Sequence, residues 1–250
     1  MFKDKIKEAE GKNRVLHYIL DIYRCIRKHI IDFMTNIRLR GMSRKEAFQD
    51  IYKNDRWGYK RYENAPLDFY SGPGSYAVEL VNPYVSLIEK LVSEKGIKTI
   101  VDLGCGDFNI GSKIAPFVTD YTGCDIVPEL IVRNQKQYGN DKCRFVCLDM
   151  VDDDIPAADL CLIREVLQHL SNKEVMQVLP KLCKYKYVLI TGTIKTNEER
   201  INNEIPHGSY RGVYLENPPF CMKGTEVLRV DHPSEDDAIV VSTLYDHSTL

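Results

Sequence analysis

The run Lys98-Thr99-Ile100-Val101-Asp102-Leu103-Gly104-Cys105-Gly106-Asp107-Phe108 constrains the fold most, because a β-branched strand ends on a carboxylate and passes straight into a Gly-x-Gly turn. Glycines at 104 and 106 let the backbone take positive φ and come close to a ligand, and the segment that follows opens a helix with its amide end free. Strand, turn and helix in this order read as the first βα unit of an α/β protein with a nucleotide-type cofactor site. A dinucleotide fingerprint would place a third glycine at 109, where the chain has Asn109; Gly111 comes too late.

Asp102 argues in the same direction. A strand-end carboxylate repels a pyrophosphate and suits a ligand that carries an ammonium and a sulfonium, as S-adenosylmethionine does. Further acids follow at the intervals of a βαβ chain. Asp120 to Ile126 reads as a second strand ending at Asp125, 23 residues after Asp102, where a carboxylate can accept both ribose hydroxyls. Cys143 to Met150 reads as a third strand ending at Asp149. Asp159 to Ile163 reads as a fourth, and Arg164-Glu165-Val166-Leu167-Gln168-His169 as the loop after it, because Ser171-Asn172-Lys173-Glu174 is a capping box that starts the next helix. Lys186 to Thr191 is the fifth, and two β-rich segments lie near 225–231 and 238–245.

On these residues, from about 70 to 250, the chain resembles the class I S-adenosylmethionine-dependent methyltransferases, whose first motif reads much like VDLGCGDF. The resemblance implies a Rossmann-like α/β fold, with a mostly parallel sheet of seven strands closed by a C-terminal antiparallel hairpin. It implies a cofactor site built from Ser71, Gly72, Asp102, Gly104, Cys105, Gly106, Asp125, Ile126, Asp149, Met150 and Arg164, with Asp149 accepting from the adenine amino group and Met150 packing on the ring. The Ser71-Gly72-Pro73-Gly74-Ser75 turn and the Arg164, Val166, Leu167, His169, Leu170, Ser171 pattern also resemble small bacterial methyltransferases of surface-polysaccharide gene clusters. In that group the turn covers the methionine end of the cofactor.

The resemblance makes the acceptor a small hydroxylated molecule, a sugar of a surface polysaccharide or its nucleotide-linked precursor, methylated on oxygen. A sugar hydroxyl hardly ionises at neutral pH, so a base beside it must take the proton as the C–O bond forms. His169 is the first candidate and Glu165 the reserve. The long polar stretch before residue 220 carries Asn202, Asn203, His207, Tyr210 and Arg211; of these, His207, Tyr210 and Arg211 are expected to hold substrate hydroxyls or a phosphate. Asn217-Pro218-Pro219-Phe220 looks like the amine-accepting loop of DNA amino-methyltransferases, but that loop follows the fourth strand, where Arg164-Glu165 already stands. No metal is expected, because the dense acidic cluster Asp152-Asp153-Asp154 falls in the connector before the fourth strand.

Charge divides the chain. Residues 1–61 hold 16 of the 34 Lys and Arg against 8 of the 36 Asp and Glu, so a net of −2 conceals a basic start and an acidic remainder. Val15, Ile19, Ile22, Ile26, Ile30, Phe33 and Ile37 recur at steps of three and four, predicting one apolar face of a long helix with arginines and lysines between them. Ser43-Arg44-Lys45-Glu46 is a second capping box. The expected division is a basic helical extension, 1–61, and a methyltransferase domain, 62–250. The extension either packs on the core or on a second subunit, giving a homo-oligomer, or offers a platform to an acidic partner such as a phosphorylated glycan, a membrane surface or nucleic acid.

A nucleic-acid methyltransferase using the extension is the competing enzyme reading, with nucleic acid the less expected acceptor; a non-catalytic cofactor-binding scaffold is the alternative outside enzymes. The start of the chain shows no apolar stretch with a cleavage site, and no run of about 18 apolar residues occurs, so a cytoplasmic protein without a transmembrane segment is expected. Eight cysteines fit reduced, buried thiols, since Cys143 and Cys147 would stand about 13 Å apart along one strand, too far to share a metal.

Overall fold

The computed structural model describes residues 18, 22–23, 26–27, 30, 33–57, 62, 65–66 and 68–248. The chain divides into two compact units, Met1–Gly41 and Met42–Leu250. In the first, every described residue through 40 is helical; Val15 and Ile19 of the expected apolar face lie outside the described residues. The second unit is a seven-stranded sheet in the order β3-β2-β1-β4-β5-β7-β6. Its strands are β1 (Thr99–Leu103), β2 (Asp120–Asp125), β3 (Cys143–Cys147), β4 (Leu160–Arg164), β5 (Tyr187–Lys195), β6 (Thr225–Asp231) and β7 (Ala238–Asp246). The first five are parallel, and β7 runs antiparallel between β5 and β6. This is the expected α/β sheet with its closing hairpin.

Alternation along the strands explains why both faces are covered. Val101 and Leu103, Cys161 and Ile163, and Val188 and Ile190 join one buried cluster; Ile100, Leu160 with Leu162, and Leu189 join the other. Strands buried on both faces read as near-continuous apolar runs, and each such side chain contributes about 1.5 to 3 kcal/mol. Tyr84, Ile88 and Leu91 of α2 (Val78–Lys95) cover the second cluster, while Phe48 and Ile51 of α1 (Arg44–Lys53) and Val175 and Val178 of α5 (Asn172–Val178) cover the first. Two further helices, α3 (Gly111–Ile114) and α4 (Pro128–Tyr138), follow β1 and β2.

Local signals fared unevenly. Both capping boxes form, with the side chains of Ser43 and Ser171 accepting from the amides of Glu46 and Glu174. Pro83 does not interrupt α2, which runs unbroken from Val78 to Lys95. Pro83 stands in the second turn, where its missing N–H costs one bond, and burial of Leu80, Val81, Tyr84, Ile88 and Leu91 outweighs it. The helix ends at Gly96 in the left-handed conformation, φ +64°. Thiols also divide: Cys124, Cys143 and Cys161 are buried and unpaired, but Cys147, on the edge strand β3, is exposed, as are Cys183 and Cys221. The helix α1, assigned by sequence to the extension, lies within the second unit. Among the described residues no helix is long and apolar enough to cross a membrane.

Candidate active site

The carboxyl ends of β1, β2 and β4 converge on one cavity of about 280 Å³. A strand order that reverses beside β1 opens a crevice at that edge, which is where open α/β sheets bind ligands. Asp102, Gly104, Cys105 and Gly106 line it from the β1 turn; Asp125 and Ile126 from β2; Asp149 and Met150 beyond β3; Arg164, Glu165 and His169 beyond β4; and Ser71 and Gly72 from the turn before α2. Every residue expected at the cofactor is thus brought to one place.

The glycines matter for a stated reason. Gly104 has φ +83°, and a Cβ there would meet Val166 Cγ2 at 2.3 Å; Gly106 has φ +55°, and a Cβ would meet Ser71 Oγ at 2.4 Å. The β1 turn therefore lies in contact with both the β4 loop and the Ser71 turn. Asp107, which sequence reasoning left without a role, stitches that second contact. Its carboxylate accepts from the Ser71 amide and the Tyr76 hydroxyl, both at 2.9 Å, and its own amide donates to Ser71 Oγ at 2.7 Å. Its position directly after Gly-x-Gly was the available signal.

The three carboxylates at or just beyond the ends of β1, β2 and β3 are held under different constraints. Asp102 accepts from the Tyr121 hydroxyl at 2.8 Å, and Asp125 from the amides of Gly106 and Val127 at 3.2 and 3.1 Å. Burial pushes each carboxyl up to about 6, against hydrogen bonds that favour the charged form. Asp149 is held by Arg44, whose Nε donates to Oδ2 at 2.7 Å, while the Val151 amide donates to Oδ1. The same guanidinium pairs with Asp152 and Glu174. Arg44, Phe48, Tyr52 and Trp57 add a wall to the cavity that local sequence pattern does not reveal, since Arg44 and Asp149 are 105 residues apart.

Beyond β4 the cavity changes character. Glu165 has φ +56°, a conformation that costs a non-glycine residue about 1 kcal/mol or more. The Glu165 amide donates to Thr191 O, and its carboxylate accepts from Gln168 Nε2 at 2.6 Å and Thr193 Oγ1 at 3.1 Å. His169 Nδ1 donates to Ser209 O at 2.8 Å, which makes Nε2 the acceptor nitrogen. Burial drops the imidazole to about 4, so the ring is neutral at neutral pH. It sits 4.6 Å from the Trp57 ring and 5.8 Å from that of Tyr210. Thr193, His232 and Glu235 complete this end.

Of the three residues expected at the acceptor, only Tyr210 lines the cavity. His207 is a correction: Nδ1 faces Glu174 Oε1 at 3.0 Å and Nε2 faces Met42 O at 2.8 Å, so both nitrogens are consumed in tying the long loop to the Arg44 network. Arg211 is another, donating to Asn203 O within the loop and to Asn172 Oδ1 at the start of α5. Asn202 staples the same loop through Tyr214 and Pro218, and no residue of 217–220 reaches the cavity. Among the described residues no group of three or more His, Cys, Asp or Glu side chains is arranged to hold a metal ion.

The cavity fits a ligand that brings positive charge to its carboxylates and hydrogen-bond acceptors to its unpaired donors. Among the described residues, two carboxylates raised by burial have no cation bonded to them, and three buried polar atoms of lining residues, Arg164 Nε, Trp57 Nε1 and the Tyr84 hydroxyl, have no hydrogen-bond partner. The family model described as a methyltransferase domain matches residues 101–185. Similar solved structures include the N-methyltransferase NodS of Bradyrhizobium japonicum in complex with S-adenosyl-L-homocysteine, at 15% identity and TM-score 0.54 over 77% of this chain and 97% of that one. Magnesium protoporphyrin IX methyltransferase (ChlM) of Synechocystis with bound S-adenosylmethionine is similar at 14% identity and TM-score 0.54, over 82% of this chain and 98% of that one. At these identities the likeness is one of fold. No curated protein matched the chain. Residues 101–185 thus match a methyltransferase domain, set in a chain that has the class I methyltransferase fold.

Proposed function

We propose that the protein transfers the methyl group to a hydroxyl of a small polyol acceptor, a sugar of a surface polysaccharide or its nucleotide-linked precursor. The observation that carries this reading is the composition of the cavity beyond β4. Ring faces of Trp57 and Tyr210 stand beside the hydrogen-bonding groups of Glu165, Gln168, His169 and Thr193, a mixture suited to a molecule with apolar faces and hydroxylated edges. The reading includes a cytoplasmic location, where nucleotide-linked sugars are made.

In this mechanism S-adenosylmethionine supplies a methyl group made electrophilic by the sulfonium. Asp125 holds the ribose hydroxyls, while Asp102 balances the ligand's positive charge. Glu165, fixed by Gln168 and Thr193, accepts from a neighbouring acceptor hydroxyl and sets the attacking oxygen in line. His169 Nε2 takes the proton. Burial makes this ring a weak base, and a weak base suffices, because the oxygen becomes strongly acidic as its bond to carbon forms.

Incubation with the methyl donor and a panel of free, nucleotide-linked and polymer-bound sugars should yield a product one methyl group heavier, with the methyl on oxygen. Methylation of RNA or DNA, with salt-sensitive binding and no sugar product, would sink this reading in favour of a nucleic-acid acceptor. Asp125→Ala is expected to weaken cofactor binding by about 1 to 3 kcal/mol in calorimetry, because two charge-assisted contacts are lost. An unchanged affinity would remove Asp125 from the site.

The basic extension is proposed to be separate from cofactor binding. A chain starting at Met42 retains α1 and its Arg44 contacts, so it should bind the cofactor with wild-type affinity. Loss of affinity in a truncated protein that stays folded would make the extension part of the pocket.

A further inference from the structure

The N-terminal unit carries an apolar surface that the catalytic reading leaves without a task. Ile22, Tyr23, Ile26, Ile30, Phe33, Met34 and Ile37 are all helical, and each is between 42% and 64% exposed. At ~100° per residue these seven side chains fall within one arc of about 120°. Large apolar side chains concentrated on one exposed face mark an interaction surface, whereas scattered ones need no explanation.

Charge surrounds that face on a regular plan. By the same helical spacing Arg27 and Arg38 follow one edge of the arc and Arg40 stands at the other. Across residues 22–40 the sequence holds Arg24, Arg27, Lys28, Arg38 and Arg40 against the single acid Asp32. We propose that this face docks on an anionic lipid surface, its apolar side chains entering the boundary between headgroups and acyl chains, with Arg27 and Arg40 at its borders reaching the phosphates.

Two observations select lipid over a second copy of the chain. A coiled-coil seam is narrow, two positions in seven, and opposite charges along its flanks set the pairing. Here adjacent residues, Ile22 with Tyr23 and Phe33 with Met34, are exposed together, which widens the face beyond a seam. The charged residues described at its borders are all arginines, which repel their own kind and complement anionic headgroups. Tyr23 and Phe33 add aromatic rings suited to the interface.

Flotation of the full chain with phosphatidylcholine vesicles, with and without phosphatidylserine, tests this. Binding is expected to the anionic vesicles, to weaken as salt is raised, and to be slight on phosphatidylcholine alone. The double variant Ile26→Asp with Phe33→Asp should lower that binding by about tenfold or more, and Arg27→Gln with Arg40→Gln by severalfold. Both pairs lie outside the second unit, so unchanged far-ultraviolet dichroism and unchanged methyl-donor binding will show that the fold survives. Equal binding to both kinds of vesicle overturns the anionic requirement. Failure to bind anionic vesicles overturns the proposal; light scattering that then showed a dimer, dissolved by the double aspartate variant, would assign the face to a second copy.

Discussion

Asp102→Asn is expected to yield a more stable protein that holds its cofactor poorly. The Asp102 carboxyl is raised to about 6 by burial, so at pH 7 the folded protein keeps a charge where the surroundings disfavour one. Such a group destabilises the fold by an amount of order 1 to 3 kcal/mol, which asparagine removes while still accepting from Tyr121. Without ligand the melting temperature should rise by several degrees at pH 7. The sign follows from proton counts. Between about 4, where the unfolded carboxyl titrates, and about 6, the folded state holds the extra proton, so wild-type stability from this group falls as pH rises through that window and stays low above it. The advantage of the variant should be full above pH 6 and vanish near pH 4. Cofactor affinity should fall by about tenfold or more at neutral pH, since the carboxylate no longer balances the ligand's charge. A variant no more stable than wild type at pH 7, or one of undiminished affinity, would show that Asp102 is not a charge held in reserve for a ligand.

His169→Ala should cost about 10²-fold in kcat while leaving cofactor affinity within about threefold. The ring lies beyond β4, apart from the three strand-end carboxylates, and its acceptor nitrogen is fixed by the Nδ1 bond to Ser209. Because burial sets the imidazole at about 4, His169 should produce no inflection in turnover between pH 6 and 9. An inflection near 6.5 that disappears in the alanine variant would mean that the ring is more basic than its surroundings imply. Glu165→Gln should act mainly on the acceptor's KM. If His169→Ala turns over normally with a true acceptor, the ring is a pocket wall and the proton goes to Glu165.

The parts of the fold written in local code were legible. Asp102, Asp125 and Asp149 each close a short run of strand-forming residues, and the glycines at 104 and 106 sit where only a residue without Cβ fits, so order and spacing placed them together before any contact was known. The hairpin was equally plain, its strands falling at Thr225–Asp231 and Ala238–Asp246. What sequence could not show depends on neighbours more than a hundred residues away. Arg44 reads as a solvated helix start until Asp149 and Glu174 are seen around it, and the basicity of His169 is set by burial that no window of sequence contains. His207 and Arg211 were misplaced for a related reason. A long loop must satisfy its own backbone, and side chains able to grip a ligand serve that need equally well.

Glu174 shows what such economy entails for the protein's history. One carboxylate caps α5, receives Arg44 from α1 and faces His207 from the long loop. Arg44 and His207 are thereby linked through a shared partner. A change at Glu174 disturbs a helix start, a cavity wall and a loop anchor in a single step, so the three attachments are not free to drift separately. Relatives that alter any one of these positions should carry compensating changes at the others, and the long loop can diversify toward new acceptors only between its fixed points at His207 and Arg211.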